Sequence, residues 1–326
     1  MARTSRHGGD RTPGTPVIPP EPSPVDLHTH TTRSDGILEP AELAAAAAAC
    51  GVRTLAITDH DNLAAARELS AAGLPPGLEL IPGVEINSVP GGSRPRSRRR
   101  WPDELHIVGL GVDSADARFE ELLATQRARR RERYVLTLAR LRAAGLPIDD
   151  LAERLPPDER AALGRPTIAR LLVAKGYATS VDDAFARLIS YGQVGYVPRV
   201  GIGPLHAIAA IRAAGGLPVL AHTADAANRR EEIRELRGFG LAGLEVHYRR
   251  FDAETVRSVA AVAAELHLVP SGGSDYHGDL ETYAEAHAAT WVPPEDAAAV
   301  RAALAATPAG STGPTHASTA SMSALR

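Results

Sequence analysis

Histidine and carboxylate residues recur through this chain in short clusters, each beside an apolar run. They are Asp26-Leu27-His28-Thr29-His30 with Asp35 shortly after, Thr58-Asp59-His60-Asp61, Gly83-Val84-Glu85, His106, Ala221-His222 and Ser274-Asp275-Tyr276-His277. Imidazole and carboxylate are the side chains that bind borderline divalent metals. His28 and His30 are separated by one residue. An extended backbone points both to the same side with Cα atoms roughly 6–7 Å apart, close enough to grip one ion. His60 stands between Asp59 and Asp61, carboxylates of the kind that orient a ligand imidazole from behind. One histidine at a strand end is more often structural than a ligand. Here His28, His30, His60, His106, His222, His247 and His277 all lie at such ends, whereas His7, His206, His267, His287 and His316 fall in tails, helices or loops. Random scatter would not sort histidines this way, and the set predicts a multinuclear metal site.

The elements that must position these residues alternate in type. Apolar runs at 25–27, 54–58, 78–86, 105–112, 217–221, 244–246, 268–269 and 288–292 read as strands, with helical patterns at 40–50, 63–72 and 295–305 among those between and after them. The first helix has Pro40 at its start and Gly51 past its end, the asymmetry that helix capping favours. Such alternation argues an α/β fold, a parallel sheet closed by helices as a barrel or a doubly wound sheet. In both, chemistry gathers at the C-terminal edge of the strands. The middle of the chain differs. Residues 114–144 read as one charged helix carrying Arg127, Arg129, Arg130, Arg131 and Arg133, followed by shorter helices at 164–175 and 181–189. With no strand pattern there, 113–199 reads as a helical insertion, a cap over the substrate, within a barrel domain formed by 25–112 and 200–306. Residues 1–24 and 307–326 have the composition of disordered tails.

With 326 residues, 44% hydrophobic and 23% charged, the chain suits a globular enzyme of one large or two ordinary domains. A net charge of −3 argues against binding nucleic acid over the whole surface. The loop 91–100 carries Arg94, Arg96, Arg98, Arg99 and Arg100. It reads as a solvated loop, with recruitment of a polyanion as the sharper alternative. Cys50 is the single cysteine, so no intrachain disulfide forms, which suits a cytoplasmic protein. No apolar stretch approaches the roughly 20 residues that span a bilayer, and the N-terminus lacks the apolar core of a secretory signal. No protein partner is implied.

Taken together, Asp-Leu-His-Thr-His with a Ser-Asp-Gly turn, Ile-Thr-Asp-His-Asp, Gly-Val-Glu-Ile and Gly-Ser-Asp-Tyr-His resemble the polymerase and histidinol phosphatase (PHP) family of metal-dependent phosphoesterases, over 25–112 and 200–306. Within it the chain is similar to the nucleotide-acting branch, whose Arg-Pro-His-Ile-Ala and Tyr-Val-Pro motifs have counterparts in Gly164-Arg165-Pro166-Thr167-Ile168-Ala169 and Tyr196-Val197-Pro198-Arg199. The resemblance implies a distorted (β/α)7 barrel and two or three divalent ions, manganese before iron or zinc. It implies that His28, His30, Glu85 and Asp275 hold one metal and Asp35, His60 and His277 a second. Glu85 would bridge to a third, completed by His106 and His222. Thr167 stands where the branch has histidine, and Glu245-Val246-His247-Tyr248 departs from its Glu-Val-Tyr. That leaves His247 as a candidate proton donor.

Clustered divalent ions suit phosphate-ester hydrolysis because they lower the pKa of water, neutralise phosphoryl oxygens and align the attack. Arg165 and Arg199 are the candidates to clasp a second phosphate, since guanidinium binds phosphate bidentately. The branch implies hydrolysis of nucleoside 3′,5′-bisphosphates to 5′-monophosphates, and 5′→3′ trimming of short RNA. The rival readings are a histidinol-phosphate phosphatase, an amidohydrolase, which would need a bridging lysine that Lys175 is poorly placed to supply, and a non-catalytic nucleic-acid-binding module.

Overall fold

The computed structural model describes residues 21–89, 104–149, 164–278 and 282–306. Seven strands follow one another around a nearly closed barrel: β1 (Val25–Asp26), β2 (Thr54–Ile57), β3 (Glu79–Ser88), β4 (Leu105–Leu110), β5 (Leu217–Leu220), β6 (Gly243–Tyr248) and β7 (Val269–Gly273). The ring returns to its start where Leu27 N donates to Gly272 O at 3.0 Å and Asp275 N to His28 O at 2.7 Å. Helices α1 (Pro40–Ala49), α2 (Ala64–Ala72), α6 (Pro204–Ala213), α7 (Arg230–Gly238) and α8 (Ala253–Glu265) connect the strands, and α9 (Tyr283–Ala288) and α10 (Pro294–Ala306) end the fold. Among the described residues, α3 (Ala117–Ala143), α4 (Arg165–Ala174) and α5 (Val181–Ala184) also lie between β4 and β5, with a π-helical turn over Phe185–Ile189.

Alternation along the strands divides the core. Leu55 and Ile57 of β2 pack with Leu43 and Ala47 of α1 and Leu69 of α2, while Ala56 between them joins Leu27, Val108, Val219 and Ala221 on the other side of the sheet. Val292, Ala297 and Val300 pack against this second group. Around Tyr134 and Leu141 of α3, Leu172 of α4 and Leu188, the helices between β4 and β5 form an apolar cluster of their own.

The structure corrects the sequence reading at several points. The sheet is not wholly parallel, because β4 runs antiparallel to both β3 and β5. Residues 288–292 form no strand. The edge such a strand would occupy is already closed by β1 against β7, and Val292 instead fixes the chain start by accepting from Ser23 Oγ at 2.7 Å. Ser23, assigned by composition to a tail, is therefore buried. Among the described residues the last strand is β7, whose Pro-Ser-Gly-Gly portion carries too little apolar character to read as one. The arginine-rich loop 91–100 and the segments 1–20 and 307–326 lie outside the described residues. Among the described residues, no helix is long and apolar enough to cross a membrane.

Closure depends on a side chain being absent at the end of β7. A Cβ on Gly273 would collide with the backbone nitrogen of His28 and lie 2.8 Å from Asp26 Oδ1. Backbone cannot yield as a flexible side chain can, so Gly273→Ala is expected to cost about 3 kcal/mol in urea denaturation, the upper end for overpacking. A loss below about 0.5 kcal/mol would show that β1 and β7 are less closely joined than described.

Candidate metal centre

One rim of the barrel collects the polar side chains. His28 and His30 follow β1, His60 follows β2, His222 follows β5, and Asp275 and His277 follow β7. Glu85 lies within β3. His106 is the second residue of β4 rather than its end. It reaches the same rim because β4 is reversed, with His106 opposite Asn87. The structure thus brings all nine of the residues singled out as ligands to one place, and divides them into three groups whose ligand atoms lie within 4.8 Å of one another. The groups are His28, His30, Glu85 and Asp275; His30, Asp35, His60 and His277; and Glu85, His106 and His222.

Glu85 is the hub, with only 1% of its surface exposed. Its Oε2 faces His60 Nδ1 at 3.1 Å, His30 Nε2 at 3.2 Å and His28 Nε2 at 3.4 Å. Its Oε1 faces His106 Nδ1 at 2.7 Å and His222 Nε2 at 3.3 Å. Burial alone would raise its pKa, but His60, His106 and His28 hold the carboxyl well below its usual range. Asp275 Oδ1 lies 3.2 Å from His30 Nε2 and 3.4 Å from His28 Nε2, and Asp35 Oδ1 lies 3.3 Å from His277 Nε2.

These contacts fit cations better than hydrogen bonds. His28 Nδ1 is committed to Glu245 Oε1 at 2.9 Å. A neutral ring that donates there presents a lone pair at Nε2. That lone pair faces two carboxylates and finds no hydrogen-bond partner; His30 Nε2, His60 Nδ1 and Asp35 Oδ1, all buried, find none either. Unpaired polar atoms in such number are costly unless positive charge lies between them. A set of imidazoles and carboxylates suits manganese, iron or zinc.

The supporting residues are equally specific. Asp59 accepts from Thr31 N, Thr31 Oγ1 and Ser34 Oγ at 2.6–2.7 Å, and so folds the turn that carries Asp35 beside His30. Asp61, His222 and Asp275 all have positive φ without being glycine, a strain that clusters at functional sites. Each is held by a named bond. Asp61 N donates to Glu85 O at 3.0 Å, His222 N to Glu245 Oε2 at 2.6 Å, and Asp275 N to His28 O at 2.7 Å.

His247 does not join the site. A bulge between Glu245 and His247 in the pairing with β7 uses up one residue, which flips the alternation beyond it. His247 therefore turns to Asp296 of α10, 3.3 Å away, and Tyr248 points inward. The Tyr248 hydroxyl donates to Asp275 Oδ2 at 3.1 Å, and its ring packs 5.5 Å from that of His222. Sequence reading missed Tyr248 and Glu245. The extra residue relative to Glu-Val-Tyr was the available signal, because a strand can absorb one residue only by bulging.

Beside the metal groups a cavity of roughly 200 Å³ opens under α3 and α4, lined by Arg130, Arg133, Arg165 and Arg199 together with Glu104 and His106. Arg127, Arg130 and Arg133 recur every third residue on one face of α3, and all three are buried, so three of the five arginines singled out on this charged helix are turned inward. Arg130 Nε bonds Asp61 Oδ2 at 2.5 Å, and Arg127 Nη1 bonds Asp61 O at 2.9 Å. Gly164, which caps α4, lies so close to Asp35 that a Cβ would come 2.8 Å from Oδ2, and Arg170 donates to Asp35 O at 2.8 Å. Thr167 is buried but does not line the cavity, unlike Arg165, Pro166 and Ile168. The helical turn carries it off that face. Lys175 is exposed at the far end of α4 and bridges nothing in the metal groups.

Comparison with known proteins agrees with this geometry. A profile of the PHP domain matches residues 26–146. The 5′-3′ exoribonuclease Rnm of Escherichia coli K12 is 37% identical over 270 residues, covering 77% of this chain and 84% of the relative. The 3′,5′-nucleoside bisphosphate phosphatase of Chromobacterium violaceum is 33% identical over 79% of this chain and 88% of its own. A solved structure from Bifidobacterium adolescentis, assigned as a metal-dependent phosphoesterase, superimposes with a TM-score of 0.74 at 30% identity, covering 87% of this chain and 97% of that one.

Glu245 touches one residue in each of two groups, His28 and His222. Glu245→Ala is expected to weaken metal binding 10–100-fold, read by calorimetric titration and elemental analysis. Glu245→Gln, which keeps one acceptor oxygen, should fall between. Wild-type metal affinity in the alanine variant would contradict this role.

Proposed function

The chain belongs to the PHP domain family of metal-dependent phosphoesterases, and from that premise we propose that it acts on nucleotides carrying two phosphates, converting a nucleoside 3′,5′-bisphosphate to the 5′-monophosphate. The observation that carries this reading is the adjacency of two anion sites. His106 Nδ1 contacts Glu85 within the metal groups, while its Nε2 lies 3.8 Å from Glu104 among the guanidiniums. One imidazole separates the two sites, a spacing that suits two phosphates on a single ribose.

Bound divalent ions, manganese in this proposal and two or three in number, would supply an activated water and neutralise the phosphoryl oxygens. The protein does the rest. Arg130, Arg133, Arg165 and Arg199 would fix the 5′-phosphate, orienting the 3′-phosphate towards Glu85 and Asp275. Water oxygen adds to phosphorus, the bond from phosphorus to O3′ breaks, and O3′ leaves with a proton. The same bond is cleaved when the 5′ end of a short RNA occupies the site, its terminal phosphate in the cradle and the next phosphorus at the metals. A single arrangement therefore accommodates the activities named for the E. coli and C. violaceum relatives. Histidinol phosphate fits less well, because its ammonium group would meet four guanidiniums. An RNA-binding module without catalysis is also disfavoured, since three arginines of α3 are buried rather than presented.

Manganese-loaded protein is expected to release phosphate from a nucleoside 3′,5′-bisphosphate faster than from a 5′-monophosphate or histidinol phosphate. His28→Ala and Asp275→Ala should each fall below about one hundredth of wild-type turnover while circular dichroism stays unchanged. Full turnover in either variant would refute the assignment.

A further inference from the structure

The cradle proposed to hold the second phosphate already contains an anion. Glu104 Oε1 lies 2.9 Å from Arg133 Nη1 and 3.3 Å from Arg165 Nη2, and its Oε2 lies 3.7 Å from Arg199 Nη1. Behind them, Asp61 Oδ2 pairs with Arg130 Nε at 2.5 Å and Arg199 Nη2 at 3.4 Å. Four guanidiniums thus meet two carboxylates, which leaves two positive charges, the complement of one phosphate dianion. Of those two carboxylates only Glu104 lines the cavity. Its two oxygens lie against the guanidiniums of Arg133, Arg165 and Arg199, which hold it as the carboxylate. Burial, and after it Arg130, draws the Arg199 guanidinium down to about 9, as expected in a cluster short of negative charge.

Resting on the nucleotide reading above, we infer that Glu104 is a built-in competitor for the second phosphate. It pairs Arg133 and Arg165 in the free protein, yields them to an incoming dianion and reclaims them after cleavage, so that product leaves. The need for such a group follows from the chemistry. The 5′-phosphate is the same in substrate and product, so guanidiniums that grip it bind both alike and add nothing to the chemical step. With three surplus charges instead of two, the cradle would retain its product.

The test is Glu104→Gln in the full, manganese-loaded chain, with inorganic sulfate and a nucleoside 5′-monophosphate as calorimetric probes. Both are expected to bind about tenfold tighter, the effect of one unit of pKa-scale interaction. On the bisphosphate, KM should fall together with kcat, and inhibition by the 5′-monophosphate should strengthen. A residue needed only for structure would raise KM and leave product affinity unchanged or weaker, and that result overturns the inference. Adding Arg165→Ala should abolish the gain; a gain that persists places the extra anion at the metals and also overturns it. Tighter sulfate binding in a protein that cleaves no nucleotide would support the competitor and reject only the substrate reading. Should Glu104→Gln not fold, Glu104→Asp, which withdraws the carboxylate, is expected to shift sulfate affinity the same way about threefold, and equality with wild type would overturn the inference.

Discussion

Glu85 is a buried carboxylate ringed by five imidazole nitrogens, and the architecture of the rim follows from keeping it there. Moving such a group out of water costs several kcal/mol even after relaxation, unless charge and hydrogen bonds compensate. A neutral His28 cannot also donate from Nε2, because its one N–H, at Nδ1, is spent on Glu245. Cations held between the nitrogens and the carboxylates would resolve the conflict. They would turn facing lone pairs from a liability into ligands, and one oxygen of Glu85 facing three imidazoles and the other two suits that role.

Holding that arrangement requires chain from nearly every strand. The reversed β4 delivers His106 from its beginning, the bulge in β6 delivers Tyr248 in place of His247, and left-handed backbone at Asp61, His222 and Asp275 turns each segment sharply at the rim. The helices between β4 and β5 then add a second electrostatic layer. Arg130 secures Asp61, Arg170 secures the Asp35 turn, and the N-terminus of α4 abuts the Asp35 carboxylate. The same helices that wall the cavity therefore also brace the metal groups, so the arginine-lined cavity and the metal groups share one support.

Much of this was legible in the sequence because it is local. The alternation of His28 and His30 and the runs that end at His60 and Asp275 are patterns within a few residues, and most strands and helices announced themselves by period. Asp59 and Asp61, expected to orient His60, turn instead to Thr31 and Ser34 and to Arg130. What was not legible depends on partners. Antiparallel β4 reads like any other apolar run, since direction is set by pairing. The bulge that exchanges His247 for Tyr248 depends on the register with β7. That Arg127, Arg130 and Arg133 of the charged helix are buried could not be read from their spacing, because it depends on contact with Asp61, Glu104 and Glu120. Thr167 was judged by its motif position, whereas the helix rotates it away from the cavity.

The most direct measurement is anomalous diffraction from crystals of the manganese-loaded protein, collected at the manganese absorption edge. The account predicts density peaks within the three groups, with Glu85 shared between neighbouring ions and Nε2 of His28 and His30 turned towards them. Crystals soaked in manganese that show no peak near Glu85, with the imidazoles instead closing on one another or on water, would contradict it.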